Sequence, residues 1–194
     1  MLTVKSNSDL MAKVLFNIAA INTCTEAEGP ERRLAIWFQG CDLGCKGCCN
    51  PEFQPMEARN IMSLAELVSL IKRSSRDNCI EGVTYLGGEP TLQSNLPLLS
   101  KAICELGLGV ILFTGNVVEK LPQAMLENVD LVVDGPYMAE YKDDNRNSIG
   151  STNQRLVKIT DRYSSMLNWF KESRAKRVEV SVLGNYMIFT GNVV

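Results

Sequence analysis

Short apolar runs alternate along this chain with longer stretches in which apolar residues recur every third or fourth position. "VLFNIAAI", from Val14 to Ile21, reads as a strand, and beyond the polar loop "TEAEGPERR" the run "LAIWFQG" reads as a second. "SLAELVSLIKRSSR" differs: leucine and isoleucine fall at helical intervals, and Ser63 and Glu66 stand at capping-box spacing, which predicts a helix. The alternation continues with a strand in "GVTYLGGEP", a helix in "LPLLSKAICELG", a strand in "GVILFTG", a helix around "VEKLPQAML" that Pro122 either interrupts or starts, and a strand in "VDLVVDGP". A polar, irregular segment "YMAEYKDDNRNSIGSTNQR" follows, then a strand "LVKIT", a helix near "SSMLNWFKESR", and strands "RVEVSVLG" and "YMIFTG".

This is the rhythm of parallel βα units. About six of them in a chain of this length predict an α/β fold of the incomplete TIM-barrel type with parallel strands, since a full eight-fold barrel takes about 250 residues. The cysteine-rich loop after "LAIWFQG", then "GGEP", "FTGN" and "DGPY", all follow predicted strands, so the four can open on one face. No linker or low-complexity tract divides the chain, and a single domain is expected over residues 1–194. "FTGNVV" occurs twice, at Phe113 to Val118 and Phe189 to Val194, which reads as two strand ends sharing one turn chemistry.

Composition narrows the chemistry. With 194 residues, 45% hydrophobic, and 20 basic against 22 acidic side chains, the chain suits one globular domain and offers neither a nucleic-acid nor a membrane surface. "VLFNIAAI" is too short to span a bilayer and lacks a following cleavage site, so a cytoplasmic protein is expected. The chain has no histidine, which excludes Cys2His2 zinc sites, Ser-His-Asp and Cys-His nucleophiles, and histidine bases together. Seven unevenly spaced cysteines point to metal or redox chemistry in a reducing compartment.

Four of those cysteines lie within "CDLGCKGCC". Thiolates from Cys41, Cys45 and Cys48 on one short loop can reach three corners of a cubane iron-sulfur cluster, leaving the fourth iron open, and Gly40, Gly44 and Gly47 let the backbone approach the sulfides. A zinc knot completed by Cys49, Cys79 or Cys24, or an electron-transfer cluster with four thiolates, is the structural alternative. Adjacent Cys48 and Cys49 count against the knot, because neighbouring side chains in extended backbone point to opposite sides.

The C-x3-C-x2-C loop, with "GGEP" about forty residues on at the end of another strand, resembles the radical S-adenosylmethionine superfamily. That resemblance implies a 4Fe-4S cluster held by Cys41, Cys45 and Cys48, with S-adenosylmethionine chelating the open iron through its amino and carboxylate groups. Reductive cleavage of its sulfonium then yields methionine and a 5'-deoxyadenosyl radical. By position, Gly87, Gly88 and Glu89 resemble the strand-end backbone and carboxylate that receive the methionine ammonium, and Asn50 matches a cofactor-contacting position. Cys49 departs from the pattern, which usually has an aromatic residue near the adenine, and is read as packing.

"EGPERR" resembles the "DGPG-x-R" element of activating enzymes, and "VDGPY" with "GSTNQR" resembles the anaerobic ribonucleoside-triphosphate reductase activating proteins. The resemblance runs from about Val14 to Arg155 and fades over 156–194. It implies a glycyl radical enzyme as substrate, with anaerobic ribonucleotide reductase foremost, and a small electron donor such as flavodoxin or ferredoxin. Asp134 is then a cofactor-facing group or, equally, a turn cap, while Asn153, Gln154 and Arg155 bind cofactor or partner, or organise their own loop. A radical enzyme acting on a peptide or small metabolite, and a non-catalytic zinc or iron-sulfur module, are the alternative functions. Cys24, Cys79 and Cys104 are read as packing without a role, and Tyr163, Trp169 and Phe170 as core.

Overall fold

The structure is a computed structural model that describes residues 11–172, 178–183 and 186–191. Seven strands, β1 (Leu15–Thr25), β2 (Arg33–Phe38), β3 (Asn60–Ser63), β4 (Gly82–Gly87), β5 (Gly109–Thr114), β6 (Leu131–Asp134) and β7 (Arg155–Lys158), form one sheet in the order β3-β1-β2-β4-β5-β6-β7. β2, β4, β5 and β6 are parallel. β1 is antiparallel to both of its neighbours, and β7 is antiparallel to β6.

The fold is therefore mixed α/β, and the expected run of about six parallel units is corrected to four parallel strands with antiparallel flanks. The reason is connection length: β1 returns to β2 through residues 26–32, too short for the crossover that parallel pairing needs. The short strand β3 has no counterpart in the sequence reading. β8 (Val178–Leu183) and β9 (Tyr186–Gly191) occupy the last two predicted strands but pair only with each other, antiparallel. The first "FTGNVV" begins in the last residues of β5, whereas residues 192–194 of the second lie outside the described residues.

α1 (Leu64–Asn78) forms where the capping box predicts it: the Glu66 backbone N–H donates to the Ser63 hydroxyl, and the Ser63 backbone N–H donates to Glu66 Oε2 at 2.7 Å. Ser63→Ala will lower the unfolding free energy by about 1 kcal/mol in denaturant melts, and an unchanged midpoint would mean that water replaces the cap at no cost. α2 (Leu96–Glu105) follows β4. Pro122 interrupts the next helical stretch, leaving a 3-10 turn at Val118–Lys120 and a short α3 (Gln123–Leu126). Near the "SSMLNWF" segment the chain forms a 3-10 turn and α4 (Leu167–Lys171).

Strand periodicity divides the sheet into two faces. Leu34, Ile36, Phe38, Val83, Tyr85, Val110 and Leu112 join Leu67, Ile71, Leu99 and Ile103 of α1 and α2 in one core. The intervening residues face the other way, where Ile111, Leu131 and Val133 pack with Ile149, Tyr163 and Phe170, and Ala35 packs with Trp37. The aromatic reading holds for Tyr163 and Phe170, both buried, with Trp169 packed against them.

Arg33 closes the N-terminal ends of the parallel strands. It is fully buried, donating to Thr84 Oγ1 at 2.6 Å, Tyr163 Oη at 2.9 Å and the Val83 carbonyl at 2.8 Å, with its guanidinium 5.1 Å from the Tyr163 ring centre. Burial pulls its pKa down, but these acceptors keep the cation solvated. With this end sealed, the loops at the C-terminal ends of β2, β4, β5 and β6 are left to make a site.

Candidate functional site

Each of these loops leaves its strand through a residue that frees or bends the backbone. The cysteine loop begins at Gly40, whose φ is +99°, and passes through Gly44 and Gly47 at +59° and +73°. Two backbone bonds fasten its start, from Gly40 N to Phe53 O at 2.8 Å and from Cys41 N to Gln54 O at 3.0 Å. Across the β2–β4 register Phe38 pairs with Gly87, and the backbone N–H groups of Gly88 and Glu89 donate to the Phe38 and Gly40 carbonyls, each at 2.8 Å. The contact is too close for a side chain: a β-carbon on Gly88 would lie 2.1 Å from the Gly40 oxygen.

These loops enclose a cavity of about 450 Å³ on the sheet face opposite α1 and α2. Cys41, Cys45 and Cys48 line it together with Gly87 and Gly88, and Trp37, Leu86 and Phe113 add apolar wall. Tyr137, Ile149 and Gln154 come from the segment after β6. Asn50, just after the cysteine loop, lines the cavity as the sequence suggests, and Glu28 and Tyr137, from segments distant in sequence, line it too. The signals for Tyr137 are its place at the end of "DGPY", a strand-end loop like the others, and its membership of the "VDGPY" element that carries part of the resemblance.

Cys48 is the most hydrogen-bonded of the three thiols. The Asn50 backbone N–H approaches its sulfur at 3.4 Å, and a hydrogen bond from the Cys49 thiol lowers its pKa to about 6. Donating that bond raises the pKa of Cys49, while burial raises that of Cys41. Cys48 and Cys49 both line the cavity. Among the described residues no three His, Cys, Asp or Glu side chains gather closely enough to hold one metal ion. A cubane asks for a different arrangement, with each thiolate on a separate iron and room between them, and three cavity-lining thiols with glycines among them fit that donor set.

Two carboxylates sit elsewhere than their motifs suggest. Glu89 is fully buried and absent from the cavity wall. Its Oε1 accepts from Thr91 N at 3.0 Å, Thr91 Oγ1 at 2.6 Å and Thr114 Oγ1 at 2.8 Å, and its Oε2 accepts from Gly115 N at 2.9 Å. This carboxylate ties the end of β4 to the end of β5. Asp134 is also fully buried and outside the lining, paired with Arg155 and accepting from Val118 N at 2.8 Å. Of the two readings of Asp134, this geometry is that of the turn cap. Arg155 also reaches Glu119 at 2.7 Å, and its pKa is raised by Asp134 first and then by Glu119.

Gln154 and Asn153 organise their own loop. Gln154 accepts from Gly150 N and Ser151 N at 2.9 and 3.1 Å and donates to the Gly135 carbonyl at 3.0 Å, and Asn153 donates to the Pro136 carbonyl at 2.8 Å. Of the cysteines outside the cluster loop, Cys24 is half-buried, while Cys79 and Cys104 are exposed, which corrects their reading as packing residues. Cys79 caps α1 in a left-handed conformation, and Cys104 falls on the outer face of α2.

Residues 27–157 match the family described as the 4Fe-4S single cluster domain. This match, on a chain whose three loop cysteines face one cavity, places the protein in that family, whose radical S-adenosylmethionine members use a 4Fe-4S cluster and S-adenosylmethionine as cofactors. Its relatives are activating enzymes. The anaerobic ribonucleoside-triphosphate reductase-activating protein of Enterobacteria phage T4 is 30% identical over 156 residues, which cover 75% of this chain and 96% of that protein. The protein of the same name from Escherichia coli K12 is 28% identical over 65% of this chain and 88% of its own length. The pyruvate formate-lyase-activating enzyme of Clostridium pasteurianum is 29% identical over 62% of this chain, which spans about half of that enzyme, 52%. Among solved structures, the crystal structure of QueE from Escherichia coli aligns over 67% of this chain and 76% of its own, with a TM-score of 0.49 and 16% identity.

Proposed function

We propose that this protein activates a glycyl radical enzyme, with anaerobic ribonucleoside-triphosphate reductase as the partner. The carrying observation is that Cys41, Cys45 and Cys48 line one cavity with Gly87 and Gly88, in a chain that spans 96% of a reductase-activating relative. Held by these residues, a reduced 4Fe-4S cluster would supply the electron for reductive cleavage of S-adenosylmethionine, the radical chemistry by which a hydrogen atom would be taken from a backbone glycine of the partner.

The chain's own residues hold and shield this chemistry. Cys41, Cys45 and Cys48 ligate the cluster, and the Asn50 N–H directed at Cys48 favours its thiolate. Gly87 and Gly88 form the backbone wall for the methionine moiety. Glu89 supports that wall through Thr114 and Gly115 rather than touching the ligand. Trp37, Leu86 and Phe113 exclude water from the cavity interior.

The sheet ends in unclosed edges at β3 and β7, which supports reading it as an incomplete barrel whose open side admits a loop of the partner. Free thiols and an oxygen-sensitive cluster suit a reducing, anaerobic cytoplasm and a small electron donor such as flavodoxin or ferredoxin. Among the described residues no helix is long and apolar enough to cross a membrane.

The test is to reconstitute the cluster anaerobically, reduce it, add S-adenosylmethionine and anaerobic ribonucleotide reductase, and record the electron paramagnetic resonance spectrum alongside 5'-deoxyadenosine. A glycyl radical signal on the reductase is expected. Cleavage with no radical on the reductase, but with one on another glycyl radical enzyme, would reassign the partner. A fully loaded cluster that neither binds nor cleaves S-adenosylmethionine would sink the reading.

A further inference from the structure

We propose that Tyr137 is the platform on which the adenine ring of S-adenosylmethionine stacks, a role that rests on the activating-enzyme reading above. Two glycines stand beside the ring. A β-carbon on Gly150 would stand 3.0 Å from Tyr137 Cδ2 and 3.3 Å from Cε2, and one on Gly47 would stand 3.7 Å from Cε1. Gly47 belongs to the cysteine loop, between Cys45 and Cys48, while Gly150 belongs to the segment after β6. Neither carries a side chain that could cover the ring, which is half-buried and lines the cavity.

The other aromatic rings of the cavity are committed elsewhere. Trp37 is buried with Ala35 and Ala19, Phe113 packs against the second core, and Phe53 has the Arg59 guanidinium 5.5 Å from its ring centre. Among the described residues no aromatic ring pairs with Tyr137. A half-buried, cavity-lining ring bordered by two glycines, with no aromatic partner, suits a flat heterocycle, and adenine is the flat part of the cofactor. Its nearness to Gly47 puts that platform beside the cluster loop. The geometry uses the ring and not the hydroxyl, so phenylalanine will substitute for tyrosine.

The test uses the cluster-loaded protein under anaerobic conditions. S-Adenosylhomocysteine and L-methionine are titrated separately by calorimetry, and the loss of adenine absorbance on stacking is followed in parallel. Tyr137→Phe will bind S-adenosylhomocysteine like the unsubstituted protein. Tyr137→Leu, which keeps bulk without a π face, will weaken it roughly ten-fold or more and abolish the absorbance change. Iron content and methionine binding will stay unchanged in both variants. Wild-type affinity in Tyr137→Leu overturns the proposal, as does a loss of iron or an equal loss of methionine binding, because the ring would then be scaffold. If the unsubstituted, fully loaded protein binds neither ligand, the activating-enzyme reading itself fails and this inference falls with it.

Discussion

Alanine at Cys41, Cys45 or Cys48 will abolish the visible absorbance of the cluster and reduce S-adenosylmethionine cleavage to the background of the apo-protein, whereas alanine at Cys49 will leave most of the iron bound. The expectation follows from ligand number. Three thiolates serve three irons, so losing one leaves two irons open and the cluster prone to dissociation. Cys49 lines the same cavity but stands outside the C-x3-C-x2-C spacing, and the other three thiolates already serve the three irons. The measurement is iron and sulfide per chain after anaerobic reconstitution and desalting. Loss of the cluster in Cys49→Ala, with retention in Cys41→Ala, Cys45→Ala or Cys48→Ala, would exchange the ligand assignment.

Gly88→Ala will destabilise the fold and loosen the cluster loop together. Its β-carbon would meet the Gly40 carbonyl oxygen at 2.1 Å, the Gly40 carbonyl carbon at 2.7 Å and the Phe53 carbonyl oxygen at 2.8 Å. All three are backbone atoms, so no rotamer change relieves the clash, and either β4 or the cysteine loop must move. A loss of about 3 kcal/mol is expected in denaturant melts of the apo-protein, the upper end of ordinary overpacking costs, together with reduced iron retention because Gly40 leads directly into Cys41. Gly44→Ala is the comparison. No heavy atom lies within 4 Å of its built β-carbon, and only its φ of +59° opposes a side chain, at a cost of about 1–2 kcal/mol. Equal stability of Gly88→Ala and the unsubstituted protein would mean that β4 and the cysteine loop do not touch as the structure has them.

The same two loops show how far the sequence could be read. Strand-end placement was legible, because apolar runs of β2, β4, β5 and β6 stop at Gly40, Gly87, Gly115 and Gly135, and local turn chemistry is a short-range property. α1 was legible down to its cap for the same reason. The direction of β1 and β7 was not, because a strand's pattern records which face is buried and not which way its neighbour runs. The hydrogen-bond partners of Glu89 and Asp134 were not legible either, because Thr114, Gly115 and Arg155 come from segments distant in sequence.

By itself, the sequence determined the alternating α/β rhythm, the thiol set Cys41, Cys45 and Cys48, and the absence of histidine that turns the chemistry toward iron and sulfur. These are matters of residue type and near-neighbour spacing, which the covalent chain carries without folding. Only the tertiary structure decided that four parallel strands have antiparallel flanks, that Glu89 ties β4 to β5, and that the ring of Tyr137 stands near both Gly47 and Gly150. Each depends on long-range packing that joins distant segments, and no local pattern encodes which distant backbone will come within a few ångströms.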